Sequence, residues 1–314
     1  MDPASEREGI KMNTTLKRTV YLGIAVLSVI LFIVGSFYDL PIAQAVYRPN
    51  NPAALVFTVI GYYVFFGAFE IMTGTLCKQL LNLTKSKAKR ILILIVCGYT
   101  GMSTAVLGSM GLVSDSVLGL CFPDVTFTFW RCVIIGLIFL YPLVFLGMLL
   151  NGKRADPSTV RGLLLLLCIL TLTFFGQIGF SELYCRPRFR ITQLGCEELH
   201  FQPWYAPLQN ATVYKETYHL KSDALRSFFS GHALDAVLNL AIFPAFAMAF
   251  TRLEENKCEL QIAALVLIPL IVFSRMVLGA HYLSDVSAGM LCGLGFVVLY
   301  EFLAARLKHW KHEV

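Results

Sequence analysis

Four polar residues near the carboxyl end of the chain have the types and spacing of a catalytic group: Ser274, Arg275, His281 and Asp285. His281 and Asp285 are four positions apart, so they lie on one face if a helix begins there. An aspartate in that position can accept the imidazole N–H, hold the tautomer and stabilise the positive charge that forms when the ring attacks. Arg275 adds a planar, permanently charged fork that suits phosphate oxygens. The pattern favours attack by a histidine on a phosphate-like group.

A second polar group, Ser230-Gly231-His232, opens an apolar run. Gly231 lets the backbone approach an anion closely, and the N–H groups at the start of a helix point at it. Ser230 adds a hydroxyl donor, and His232 can exchange protons near neutral pH. These residues would bind an anion and provide an acid.

A third polar group is the arginine-rich segment from Cys185 to Arg190, which follows another apolar run. A single arginine at a membrane edge usually anchors its helix, and a single histidine in a helix is usually structural. The order and shared location of the three groups, however, favour one anion site with a nucleophile and an acid.

The elements that must position these residues are membrane helices. Of the 314 residues, 57% are hydrophobic and 15% are charged, whereas soluble domains have about 25% charged residues. The net charge of +6 does not indicate a nucleic-acid binder, because Lys and Arg lie between apolar runs rather than on one soluble face. The solvent of this chain is therefore mostly lipid, and its immediate partner is a bilayer.

Hydrophobic length predicts an all-α integral membrane protein with about eight spans, since a crossing helix needs about 20 apolar residues. We expect residues 1–11 to be an expression leader, 12–160 to form amino-terminal membrane helices, and 161–314 to carry the motifs. The last two spans should form a tight helical hairpin. The predicted spans are 20–38, 54–76, 91–113, 130–150, 162–180, 233–251, 259–279 and 282–305.

Basic residues predict the orientation, because cytoplasmic loops are rich in Lys and Arg. The 77–90 loop has five of them, whereas the 114–129 loop has none. Eight spans with both termini in the cytoplasm fit this alternation. The 181–229 loop and the turn near residue 280 then meet on the extracytoplasmic side.

The three groups together resemble the type-2 phosphatidic acid phosphatase superfamily, which includes lipid phosphate phosphatases. That family has the motifs Lys-x6-Arg-Pro, Pro-Ser-Gly-His and Ser-Arg-x5-His-x3-Asp. The third motif is complete here, and the second has Phe229 in place of proline. The first retains Arg186-Pro187 but has Gly179 where the family has lysine.

The resemblance implies a six-helix phosphatase core, of which residues 162–305 would supply four helices. It implies a metal-free, cofactor-free reaction through a phosphohistidine. His281 would attack phosphorus with Asp285 orienting it, and His232 would protonate the leaving oxygen and then activate water. Four groups would hold the phosphate oxygens: Arg186, Arg275, Ser230 and the Gly231 amide.

The missing lysine leaves part of the phosphate cradle to be supplied by other residues. Four nearby cations can replace it: Arg188, Arg190, Lys221 or Arg226. Its absence also favours a rival interpretation, a non-catalytic lipid-binding or transport protein, which the intact histidines oppose. A lipid phosphotransferase is a closer alternative.

The substrate expected from the membrane setting is a lipid phosphomonoester or pyrophosphate. Phosphatidic acid, phosphatidylglycerol phosphate, a polyprenyl pyrophosphate and a lipid A phosphate are not distinguished by the sequence. Three other features have more than one interpretation. Cys185 and Cys196 share a loop and could form a disulfide, Asp235 can support His232, and Glu70 within the second span needs a partner.

Overall fold

The computed structural model describes residues 14–114, 128–152, 155–196, 198–206, 208–221, 223–250, 253 and 255–309. The expected leader, most of the 114–129 loop, and Lys153, Arg154 and Arg252 lie outside the described residues. Within that part of the chain there are helices and no strand, which confirms the all-α class. The helices are α1 (Thr14–Val46), α2 (Pro52–Leu83), α3 (Lys87–Ser114), α4 (Phe129–Phe139), α5 (Pro142–Leu150), α6 (Pro157–Tyr184), α7 (Phe189–Thr192), α8 (Ala211–Thr217), α9 (Gly231–Ala249), α10 (Lys257–Val277) and α11 (Leu283–His309).

Each of the eight predicted spans falls on these helices. Seven described stretches are long and apolar enough to cross a membrane: α1, α2, α3, α4 with α5, α6, α10 and α11. Helix α9 is apolar but shorter. The fourth span is interrupted between α4 and α5 because Pro142 has no N–H for the carbonyl four residues earlier. The protein is therefore a multi-pass membrane protein.

Helix α9 is the centre of the half that carries the motifs. It packs along both α10 and α11 and also contacts α2 and α6, while α1 runs along α11. The predicted hairpin of α10 and α11 is wrong: these two helices scarcely touch, because α9 packs against both of them. Glycines allow the close approach, since a Cβ at Gly293 of α11 would lie 2.6 Å from the carbonyl oxygen of Leu234 in α9.

Helices α3, α4 and α5 pack chiefly on α2 and on one another. Backbones touch at two glycines: a Cβ at Gly74 would overlap the Val144 carbonyl, and one at Gly147 would overlap the Ile71 carbonyl. Small residues at such crossings let membrane helices approach closely. The buried Glu70 of α2 accepts a hydrogen bond from Thr104 of α3, which is a partner of the kind that its position in the span requires.

The connections predicted to share one membrane side do lie at one end of the bundle. The Arg48 N–H, after α1, donates to the Val277 carbonyl at the end of α10 (2.8 Å). The Arg190 N–H, in the long 185–230 connection, donates to the Gly279 carbonyl (2.9 Å). The three chemical groups of the sequence therefore meet at this end.

The α2–α5 crossing gives a test of the packing. We expect Gly74→Val to lower the free energy of unfolding by at least roughly 2 kcal/mol, because the added side chain must displace the α5 backbone. Thermal unfolding of the protein in detergent measures the change. The matched control is Gly176→Val in α6, where a Cβ meets nothing within 4 Å. Equal stability of the two variants would contradict this packing.

Candidate active site

The turn between α10 and α11 places His281. The carbonyl of Arg275 accepts hydrogen bonds from the N–H groups of Ala280 (3.0 Å) and His281 (3.3 Å), which closes the turn on the end of α10. Gly279 has a φ of +61°, and a Cβ there would lie 2.6 Å from Cε2 of Tyr47. Glycine suits this turn because it tolerates positive φ and leaves space for the tyrosine ring.

The imidazole of His281 is oriented by a backbone carbonyl rather than directly by Asp285. Its Nδ1 lies 2.7 Å from the Ser227 carbonyl oxygen and 3.9 Å from Oδ2 of Asp285. Because a carbonyl can only accept, Nδ1 carries the proton, and Nε2 is the basic nitrogen of the neutral ring. Asp285 in turn accepts hydrogen bonds from the Ser227 hydroxyl (2.5 Å) and the Tyr282 N–H (2.8 Å). Asp285 therefore contributes to the position of His281 through Ser227.

Arg186 lies between two carboxylates in the protein interior. Its Nη1 donates to Oδ1 of Asp285, its Nη2 donates to Oδ2 of Asp39 (2.8 Å), and its Nε donates to the Gln202 carbonyl (2.9 Å). The guanidinium also stacks over the Tyr282 ring at 4.2 Å and is 0% exposed. Burial lowers the pKa of Arg186, but the charges of Asp285 and Asp39 outweigh burial and raise that pKa above its usual value. Arg186 therefore holds Asp285 in place.

Asp39 of α1 is a site residue that the sequence reasoning missed. Besides Arg186, it accepts hydrogen bonds from the N–H of Ser284 (2.9 Å) and from the Ser284 hydroxyl. It thereby fixes the first turn of α11 to α1. A signal was present, because Asp39 directly follows an apolar run and a charge at such a position requires a partner.

The second motif forms the start of α9. The Ser230 hydroxyl accepts from the Ala233 N–H (3.3 Å), so Ser230 is the N-cap, and the Ser230 N–H donates to the Asp285 carbonyl (3.0 Å). His232 is buried, and its ring meets that of Tyr62 from α2 edge-on at 4.2 Å. The cap and the aromatic contact fix the helix start and its histidine relative to Asp285.

Both histidines line one cavity of about 470 Å³. Arg188, Arg226 and Asp223 also line it, so positive groups share this space with the two rings. The rest of its wall comes from α2, α3, α4, α6 and α9. The arrangement can hold an anion between two imidazoles and two guanidinium groups.

The residues predicted to hold phosphate fall into two sets. Gly231 lines the cavity at the start of α9. Arg186, Arg275 and Ser230 are each 0% exposed and are not among the described residues that line it. Arg186 and Ser230 instead form hydrogen bonds with the surrounding protein, and the backbone carbonyl of Arg275 closes the turn that carries His281.

The four residues considered as replacements for the motif lysine also separate. Arg188 and Arg226 line the cavity; Arg188 donates to the Asp223 carbonyl (2.8 Å), and Nε of Arg226 lies 3.7 Å from Oε2 of Glu182. Arg190 instead pairs with Asp223 (3.1 Å) outside the lining, and Lys221 is exposed.

The position of the missing lysine faces outward. Gly179 lies on the exposed side of α6, where a Cβ meets nothing within 4 Å, whereas its neighbours Gln177, Ile178 and Ser181 line the cavity.

In the same region Cys185 and Cys196 are free thiols, so the disulfide that their spacing allowed is not formed in the structure.

Comparison with known proteins agrees with this geometry. Residues 161–308 match the model of the PAP2 superfamily. This segment, slightly under half of the chain, is similar to the PAP2 superfamily, as its motifs predicted. No curated protein and no solved structure matches the chain.

The PAP2 segment, residues 161–308, contains all three motif groups and nearly all of helices α6 to α11. Members of this superfamily are generally phosphatases, and the match supports this coarse biochemical class for the chain. Helices α1 to α5 lie outside the PAP2 segment, yet α1 provides Asp39 and α2 provides Tyr62. The PAP2 site of this chain therefore depends on residues from its amino-terminal half.

Asp39 gives a test of that dependence. We expect Asp39→Asn to lower the free energy of unfolding by roughly 3 kcal/mol, because it removes one of two charges that compensate the buried Arg186. Glu301→Gln is the matched control, since Glu301 also joins α11 to α1, by an ion pair to Lys17, but is about one-third exposed. Its loss should cost at most about 1 kcal/mol. Unfolding in detergent that ranks the two variants equally would contradict the role of Asp39.

Proposed function

We propose that this protein is a membrane phosphatase that removes phosphate from a lipid phosphomonoester or pyrophosphate through a phosphohistidine at His281. The observation that carries the proposal is the shared cavity, in which two histidines and two arginines meet among membrane helices. Phosphatidic acid, phosphatidylglycerol phosphate, a polyprenyl pyrophosphate and a lipid A phosphate all present the required group. A lipid can reach such a cavity by moving sideways between helices.

In the first step, Nε2 of His281 attacks phosphorus and forms a P–N bond. The bond between phosphorus and the lipid oxygen breaks, and His232 donates a proton to that oxygen. The tautomer set by the Ser227 carbonyl supports this role because it makes Nε2 the nucleophilic nitrogen. The position of His232 on the same cavity supports its role as the acid.

In the second step, His232 takes a proton from water, and the resulting hydroxide attacks phosphorus. The P–N bond breaks, inorganic phosphate leaves, and His281 returns to its starting form. The same histidine acts first as acid and then as base, as reversibility of proton transfer requires.

Negative charge that builds on the phosphate oxygens needs fixed positive partners. Arg188 and Arg226 line the cavity and are the residues we assign to this role, together with the Gly231 amide at the start of α9. Arg186 then acts as a positioning residue, because its guanidinium is committed to Asp39 and Asp285. No lysine at position 179 is required in this arrangement.

We place the active site on the extracytoplasmic side and both termini in the cytoplasm. The support is the basic loop between α2 and α3, at the end of the bundle opposite the cavity. Cytoplasmic loops carry such an excess of Lys and Arg. The basic residues are Lys85 in this loop and Lys87, Lys89 and Arg90 in the first turn of α3.

The direct test is phosphate release from a panel of lipid phosphates by the purified protein in detergent, with EDTA present. We expect release that survives EDTA and falls at least roughly 1,000-fold in His281→Asn, because the nucleophile is lost. His200→Asn is the matched control, since His200 is exposed in the long loop. Folded protein that releases phosphate from none of the lipids would favour a binding or transport role. Release only when an acceptor is added would favour a phosphotransferase.

The two cavity arginines give a second test. We expect Arg226→Ala to lower kcat/KM for the best lipid phosphate by roughly 100-fold, as loss of one fixed partner of the transition state does. Arg188→Lys, which keeps the charge but loses the planar fork, should lower it less. Lys221→Ala is the control because that lysine is exposed and outside the cavity lining. The assignment fails if Arg226→Ala and Lys221→Ala hydrolyse the lipid equally well.

A further inference from the structure

The cavity that holds the two histidines has a second, apolar part. Its polar lining includes the two histidines, Arg188 and Arg226, and the carboxylates of Asp223 and Asp235. A further part of the wall comes from two helices that belong to the amino-terminal half of the chain. The residues that α3 and α4 contribute are Leu107, Met110, Gly111, Val113, Phe129 and Cys132.

Another part of the cavity wall comes from α6. Phe174, Phe175 and Ile178 line it there, and Phe175 is also exposed on the outer surface of the bundle. Met110 on α3 is likewise partly exposed. The apolar part of the cavity is therefore bounded by two membrane spans whose edges reach the lipid-facing surface.

Space is left open in this wall by a glycine. A Cβ at Gly111 would lie 2.8 Å from Cε1 of Tyr62, the residue whose ring also contacts His232. Any larger residue at position 111 would push against this tyrosine. The apolar part and the catalytic part of the cavity thus share one side chain.

A ligand that binds the charged end with a phosphate would have its remaining atoms next to the apolar wall. A polar group gains no affinity from contact with such a wall. Each methylene of a ligand that leaves water for this wall raises the affinity of the ligand by roughly fourfold. One cavity whose lining includes two histidines and two arginines as well as many apolar side chains fits an amphiphile with a single phosphate head.

We propose that α3 and α4 form the binding site for the hydrocarbon chain of the substrate and set the preference for chain length. This inference rests on the proposed phosphatase function. It assigns substrate selection to helices outside the PAP2 segment, whereas the residues that react with phosphate lie within it. The ligand of this site is the hydrocarbon chain of the phosphorylated lipid, which contacts α3, α4 and α6.

The experiment compares hydrolysis of hexadecyl phosphate and butyl phosphate, which share the reacting group and differ only in the chain. We expect the wild-type protein to prefer hexadecyl phosphate by at least about 100-fold in kcat/KM, since even partial burial of the longer chain is favourable. Leu107→Trp, which fills the apolar part of the cavity, should reduce that preference at least tenfold. Leu94→Trp is the matched control on the lipid-facing side of the same helix.

A preference that Leu107→Trp leaves unchanged, or that Leu94→Trp reduces equally, would overturn the inference. Met110→Trp is a second cavity variant at a partly exposed position, in case Leu107→Trp does not fold. Hydrolysis of both substrates without any chain preference would remove the inference but keep the proposed function.

Binding provides a readout that does not need turnover. Thermal stabilisation of the His281→Asn variant by hexadecyl phosphate should exceed that by butyl phosphate, and Leu107→Trp should abolish the difference. If the wild-type protein hydrolyses neither substrate, the proposed function fails, and this measurement decides the inference about the chain separately. Equal stabilisation by the two phosphates would then contradict it.

Discussion

The candidate active site depends on the ion pairs that the buried guanidinium of Arg186 forms with Asp39 and Asp285. A charge removed from water is costly unless opposite charges and hydrogen bonds compensate it, and Asp39 and Asp285 do so here. The arrangement joins α1, the loop after α6 and the first turn of α11, which are far apart in the sequence. Because Asp285 also binds Ser227, the same network reaches the carbonyl that orients His281.

The arginines after α6 therefore have different tasks. Arg186 is buried and holds other residues in place, whereas Arg188 lines the cavity with Arg226. Asp223 forms ion pairs with both Arg188 and Arg190, so one carboxylate partly compensates the positive charge of these two arginines next to the cavity. Two arginines therefore line the cavity although the motif lysine is absent.

Much of the architecture was predictable from the sequence, because the requirement for apolar length in a membrane is strong. All eight predicted spans fall on helices, and the motif residues meet at one end of the bundle. The prediction that α10 and α11 form a hairpin was wrong, because adjacency in the chain does not show which helices pack together. Helix α9 packs against both of them, and its contact with α11 is close at Gly293.

The details of the site were less predictable, since they depend on contacts between distant parts of the chain. Residue types and spacing predicted that His232 and His281 lie near each other, and both line one cavity. They could not show that Arg186 binds Asp39, which lies 147 positions earlier. Nor could they show that the Ser227 carbonyl, rather than Asp285, accepts the hydrogen bond from His281. Of the four cationic residues considered as substitutes for the motif lysine, Arg188 and Arg226 line the cavity. The sequence did not distinguish these two from Arg190 and Lys221.

The central claim, a covalent phosphohistidine at His281, is tested most directly by trapping it. The purified protein would be mixed briefly with a lipid phosphate labelled in its phosphate group and denatured in alkali, in which phosphohistidine survives. Peptide mapping would then locate the label. The account predicts label on the peptide that contains His281 in the wild-type protein, and none in His281→Asn. Phosphate release by the wild-type protein without label on that peptide, or label on a different residue, would contradict it.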